Sequence, residues 1–189
     1  MKVKQIYKMC RRTESVVVEQ TLDGRQFINC YGNRYLIEGM PEIHEKQFLS
    51  FLDVPYTRRD SWNVWEEAAD ETLYAYTLET DEELEMIPFS LNIGGNIYRP
   101  FIRNDGIIIW LDEDLLSPMS CEKWTLFLRK SSTGEPYIAV KEGLYLSAVL
   151  KFKFANEIDE CRNLMKYLDV IVCGDEMKML KEETDDDVV

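Results

Sequence analysis

Apolar positions along the chain recur with two periods. Val3, Ile6, Tyr7 and Cys10 follow the i, i+3, i+4, i+7 spacing of one helix face and predict a short helix over 2–12. SVVVEQT (15–21) reads as a strand by its β-branched content. Asp23-Gly24 then predicts a hairpin turn, QFINCY (26–31) a returning strand, Gly32-Asn33 a second turn and RYLIE (34–38) a third strand. Pro41 opens a predicted helix, PEIHEKQFLSFLDV, with Ile43, Phe48, Leu49 and Leu52 inward. Residues 61–76 carry Trp65, Ala68, Ala69 and Leu73 at spacings that suit an acidic amphipathic helix, with a loop as the alternative. Strands are predicted over 85–93, 97–102, 107–111, 123–130, 137–141 and 144–154, with turns at Gly94-Gly95, Asp105-Gly106 and Thr133-Gly134. DEDLLSPM makes a helical turn between the third and fourth of these. A last helix, 156–171, places Ile158, Cys161, Leu164, Met165 and Leu168 on one face behind an Asn156 cap.

The pattern echoes itself. DGRQFINCYGNRYLIEGM…EKQFLSFLDV in the first half parallels TGEPYIAVKEGLYLSAVL…ECRNLMKYLDV in the second, and NDGIIIWLDEDLLSP is a shorter version. The expected class is α+β: antiparallel hairpins and sheets, helices packed on one face, and repeated strand-strand-strand-helix units. The expected organisation is an N-terminal α/β unit (1–60), an acidic aromatic connector (61–85), a C-terminal α+β unit (86–175) and an acidic disordered tail (176–189). Such units are similar in topology to those of DNA sliding clamps, which line their rings with basic helices. Here only the first helix is clearly basic.

Charge changes this picture by its location. The 189 residues hold 22 Lys plus Arg against 35 Asp plus Glu, a net −13. Residues 61–90 hold nine acidic and no basic residues, and 181–189 hold five acidic and one basic. The remainder is close to neutral. The balance argues against direct DNA binding and against an anionic membrane surface, since both need cations. Carboxylates beside aromatic rings suit a docking surface for a basic partner: the charges steer encounter and the rings supply contact area. The candidate partner-binding residues are Trp62, Trp65, Glu66, Glu67, Asp70, Glu71, Glu79, Asp81, Glu82, Glu83 and Glu85; the stretch also holds the aromatics Tyr74 and Tyr76.

Catalytic chemistry has little to work with. His44 is the only histidine, and it sits in a polar helix. IGGN (93–96) matches no phosphate-binding fingerprint and reads as a hairpin turn. Asp112, Glu113 and Asp114 lack the spacing of a calcium loop and suit a helix N-terminus. The five cysteines, Cys10, Cys30, Cys121, Cys161 and Cys173, contain no CxxC pair and are expected to be reduced thiols, neither disulfide framework nor zinc site. No enzyme activity, cofactor or metal is expected. The N-terminus, MKVKQIYKMCRR, has no apolar run fit for a signal peptide, so a cytoplasmic location is expected.

Four phrases carry a resemblance: VKQIYKMCRRTESVVV, QFINCYGNRYLIEGMPEIHEKQFLSFLDV, DGIIIWLDEDLLSPM and PYIAVKEGLYLSAVL. Together, over most of residues 2–170, they resemble a diverse group of small acidic proteins of phages and mobile elements of gut Firmicutes. Some of that group are associated with inhibition of type II CRISPR nucleases. The resemblance implies an anti-CRISPR-like inhibitor that binds a basic nucleic-acid-handling protein, with the type II CRISPR nuclease as one candidate. The acidic stretch belongs to none of these phrases.

Overall fold

The computed structural model describes residues 1–39, 42–119, 123–154 and 157–158. The chain forms two compact units, Met1–Phe152 and Lys153–Val189. In the second, the described residues are a two-residue strand, Lys153–Phe154, and Glu157 with Ile158. The Phe154 N–H donates to the Glu157 carboxylate at 2.6 Å. The predicted helix over 156–171 and the acidic tail otherwise lie outside the described residues.

The first unit is dominated by sheet. Its strands are β1 (Ser15–Gln20), β2 (Gln26–Cys30), β3 (Asn33–Leu36), β4 (Asn63–Ala68), β5 (Glu82–Met86), β6 (Leu91–Ile93), β7 (Asn96–Ile102), β8 (Ile108–Asp112), β9 (Thr125–Lys130), β10 (Pro136–Glu142) and β11 (Tyr145–Leu150). Across the sheet they run β8-β7-β5-β9-β10-β11-β3-β2-β1-β4, with β6 on β7. The pairings are antiparallel except β1 with β4, which is parallel, so the sheet is mixed. Two short helices, α1 (Val3–Cys10) and α2 (Glu45–Phe51), accompany it. No helix among the described residues is long and apolar enough to cross a membrane.

Turn chemistry explains the hairpins. Tyr31 (φ 58°) and Gly32 (φ 82°) both occupy the left-handed region between β2 and β3, as Gly94 and Gly95 do between β6 and β7. Two consecutive positive φ values give the turn whose twist matches paired strands. The strand part of the sequence echo is visible: β1-β2-β3 and β9-β10-β11 are each three-stranded antiparallel meanders. They meet last strand to last strand, Tyr35 opposite Ala148 and Arg34 opposite Val149. Segments that the sequence assigns to separate units thus share one sheet.

Two faces follow from strand alternation. The lower face carries Val16, Val18, Ile28 and Cys30. There Cys30 is joined to Cys10 of α1 in a disulfide, their Cα atoms 5.9 Å apart. This corrects the expectation of reduced thiols for that pair: twenty residues apart in sequence, they meet only because α1 packs on β2. The other three cysteines lie outside the described residues. The upper face carries Phe27, Tyr137, Ala139 and Val149. A bulge shifts the β10–β11 register between Val140 and Lys141, which brings Leu146 onto the same face.

Residues 69–81 form a strap across this upper face. Its 3-10 turn, Glu71–Tyr74, presses Leu73 and Tyr74 onto Phe27, Tyr137, Leu146 and Val149. The Phe27 and Tyr74 ring centroids lie 4.1 Å apart. The acidic helix considered for 61–76 is therefore a strand followed by a strap. β1 offers a parallel partner, and that partner selects the period-2 reading in which Val64 faces inward. Trp62 is also buried, stacked on Tyr7 at 5.8 Å.

Phe27 joins strap and sheet, so Phe27→Ala is expected to lower stability by about 3–5 kcal/mol. Urea unfolding checks this, with a lower midpoint at unchanged slope.

Candidate docking face

The acidic stretch divides by what each carboxylate touches. Glu66 points to the lower face and accepts the Glu45 N–H at 2.7 Å, satisfying an orphan amide at the start of α2. His44, which precedes α2, sits 3.8 Å from the same carboxylate and is exposed. Asp70 caps the strap's 3-10 turn, accepting from the Thr72 N–H at 3.1 Å, the Thr72 hydroxyl at 2.6 Å and the Ser132 hydroxyl at 3.2 Å. These bonds, the Thr72 hydroxyl's foremost, hold its carboxyl below the usual range against the opposing effect of burial. Glu71 accepts the Leu22 N–H at 2.6 Å. Glu82 pairs with Arg103 at 3.2 Å.

Asp81 is the most deeply committed. Arg129, fully buried, donates Nε to Oδ1 at 2.6 Å and Nη2 to Oδ2 at 2.7 Å. Lys141 donates to Oδ2 at 3.0 Å. The Leu78 N–H adds a further bond at 3.2 Å. Burial pushes the Asp81 carboxyl upward, but the Arg129 and Lys141 hydrogen bonds outweigh it and hold the group below the ordinary carboxylate range. Arg129 also donates to the Ala75 and Tyr76 carbonyls at 2.5 and 3.2 Å. Lys141 reaches the Thr77 hydroxyl at 3.3 Å and lies 4.5 Å from the Phe127 ring centroid. One carboxylate thus anchors the C-terminal end of the strap to β9 and β10.

A second buried network holds its other half. Both carboxylate oxygens of Glu19 on β1 accept from Arg34 Nε at 3.0 Å; Oε2 also accepts from the Tyr74 hydroxyl and Oε1 from the Asn29 amide. Burial, reinforced by Glu19, raises the Tyr74 phenol well above its ordinary pKa, so it stays a donor. Arg25 donates to the Tyr74 carbonyl at 3.1 Å and stacks over the Tyr76 ring at 4.1 Å.

Glu66, Asp70, Glu71 and Glu82 are exposed although paired. The exposed acidic and aromatic residues of the stretch whose side chains are not tied into the fold by a hydrogen bond or ion pair are Trp65, Glu67, Tyr76, Glu79, Glu83 and Glu85. Strand alternation puts Trp65, Glu67, Glu83 and Glu85 on the strap's side of the sheet. One cross-strand row, Trp65–Val17–Asn29–Arg34–Val149–Ala139–Phe127–Glu83, spans that face. Its ends are seven strand spacings apart, a path of about 34 Å along the sheet at ~4.8 Å each. The sequence-contiguous candidates therefore do not form one compact patch. Trp65 and Glu67 mark one end of the face, Glu83 and Glu85 the other, and Tyr76 and Glu79 lie on the strap between.

Sequence reasoning missed the basic half of this arrangement. Arg34, Arg129 and Lys141 lie far from the acidic stretch in the chain. The one available signal was a cation at an inward position of a strand, and it becomes legible only with the register. Asp112 plays the N-terminal part expected of it: its side chain accepts the Asp114 N–H at 3.0 Å, opening a 3-10 turn at Glu113–Leu116. No group of three or more His, Cys, Asp or Glu side chains fit to hold a metal occurs among the described residues. Comparison with known protein families, with characterised proteins and with solved structures finds no match for the chain.

Asp81→Asn would leave Arg129 and Lys141 buried without their counter-ion, and a loss of about 3–5 kcal/mol is expected. Because the folded carboxyl titrates below its unfolded value, Asp81 stabilises fully above the unfolded pKa, about 3.9. That contribution fades as pH falls through the depressed folded value. Urea unfolding of wild type and variant between pH 7 and pH 2 checks this: the stability gap should narrow only in the acid limb.

Proposed function

We propose that the chain is a non-enzymatic inhibitor that docks on a basic, nucleic-acid-handling protein through the strap-bearing face of its sheet. The observation that supports this is the separation of the acidic stretch into committed and free groups. Glu66, Asp70, Glu71, Asp81 and Glu82 serve the fold. The carboxylates of Glu67, Glu79, Glu83 and Glu85 have no hydrogen bond or ion pair among the described residues. They are carried with Trp65 and Tyr76 on a strap and sheet held rigid by buried charge. Rigid presentation lowers the entropic cost of binding, and half-exposed aromatic rings supply desolvated contact area between the carboxylates.

The type II CRISPR nuclease is the candidate target named by the sequence resemblance. Its chemistry fits: lysines and arginines that hold phosphates would meet the free carboxylates instead. Occlusion suits this face better than mimicry of duplex DNA. Over about 34 Å a duplex presents about 20 phosphates, whereas the whole stretch from Glu66 to Glu85 has nine carboxylates.

A salt-stepped pull-down from host lysate, followed by titration of the recovered protein, tests the reading. Replacing Glu67, Glu79, Glu83 and Glu85 by Gln is expected to weaken binding about thirtyfold, at roughly 0.5 kcal/mol per exposed carboxylate. Affinity of the wild type should fall steeply with added salt. Unchanged affinity and salt profile in the quadruple variant would remove this face from the mechanism.

A sliding-clamp-like accessory role is the second reading. The junction of two three-stranded meanders through β3 and β11 favours it. It requires a ring, so light scattering should find an oligomer of defined size; a monomer at working concentration excludes it.

A further inference from the structure

We propose that the free edge of β4 receives an extended, Lys- or Arg-bearing segment of the partner as an added strand. The inference rests on the docking reading above and names the mode of contact. β4 ends the sheet, with no strand beyond it among the described residues. The Asn63 N–H donates to the Glu14 carbonyl and the Ala69 N–H to the Gln20 carbonyl, both at 2.9 Å, on the β1 side. Alternation therefore turns the backbone groups of Val64, Glu66 and Ala68 away from β1, where an added strand would pair with them.

The side chains along this edge select a cation. Trp65 and Glu67 are neighbours on the upper face, two residues and about 6.6 Å apart. Trp65 is 50% exposed, so a Lys or Arg on the incoming strand can meet its ring and the carboxylate together. Glu67 sits directly opposite Glu19 in the β1–β4 register. Arg34 compensates Glu19 and leaves Glu67 without a counter-charge. An arriving cation thus relieves a like-charge pair. An open groove of ≈ 490 Å³ adjoins the edge, lined by Gln20, Leu22, Glu66, Glu67 and Ala68 among others. Leu22, at 93% exposed, gives it an apolar wall. The same charges disfavour pairing of β4 with a second copy, since Glu66 and Glu67 would face their own kind.

The test uses the full chain and a nine-residue blocked peptide alternating Lys and Thr, with a Glu/Thr peptide as control. With the Lys peptide, amide exchange at Val64, Glu66 and Ala68 should slow about tenfold, the effect of one added net hydrogen bond of ~1.4 kcal/mol, and the Trp65 indole resonance should shift. Ala68→Pro removes an outward N–H and leaves the β1 ladder intact, so peptide affinity should fall about tenfold at unchanged thermal midpoint. Trp65→Ala should cost about fivefold.

Slowing at these amides that appears with protein concentration alone assigns the edge to a second copy and overturns the proposal. So does peptide binding that leaves the three amides unchanged, the absence of binding at millimolar peptide, or full affinity in Ala68→Pro. If Ala68→Pro does not fold, the wild-type exchange measurement decides. A neutral Ala68→Pro combined with a weakened Glu→Gln quadruple variant removes strand addition only. A neutral quadruple variant removes the docking reading itself.

Discussion

Asp81 and the two cations it holds, Arg129 and Lys141, are the interaction on which the upper face depends. A strap of thirteen residues (69–81) with only one 3-10 turn has little regular backbone pairing of its own. Loops with exposed backbone open easily unless side chains tie them down. Here the tie is made in low dielectric, where a carboxylate with two cationic donors is strong and an unmatched partner is costly. Glu19 repeats the device at the other half of the strap with Arg34, Tyr74 and Asn29. Between the two anchors lies the apolar contact of Leu73 and Tyr74 with Phe27, Leu146 and Val149. The networks set where the strap lies, and the apolar cluster supplies the burial.

This division gives the carboxylates of one short stretch unequal standing. Five of the nine are used inward or locally, as caps and ion pairs, and they shape the face. The four left over are displayed on it. Eight of the nine are exposed, Asp81 being the exception, but net charge alone does not separate those already paired within the fold from those left for a partner. The free groups bracket a face eight strands wide, with aromatic rings at Trp65 and Tyr76.

The sheet also decides where that face can be extended. Joining the two meanders through β3 and β11 buries one potential edge of each. The parallel addition of β4 to β1 moves the edge outward to a strand whose exposed positions include Glu66 and Glu67. Acidic side chains on an edge discourage self-pairing while leaving backbone donors and acceptors available to a strand of opposite charge.

Much of the architecture was legible in local pattern. The strands β1, β2, β3, β7, β9 and β10, the first helix and the Gly-containing turns follow from β-branched content, alternation and turn residues, all of them properties of a few neighbouring amino acids. The net acidity of 61–85 and the Asp112 cap were equally local. Residues 61–76 were not legible: Trp65, Ala68, Ala69 and Leu73 satisfy a helical period, and only β1, more than forty residues earlier, selects a strand. The Cys10–Cys30 bond depends in the same way on α1 meeting β2. So does the sorting of the acidic stretch, because whether a carboxylate is structural or free depends on which cation the register sets beside it. Composition and short-range periodicity therefore determined that the chain makes hairpins and carries a local negative charge. Tertiary packing decided which of those charges face a partner, because pairing between distant strands has no trace in the spacing of neighbouring residues.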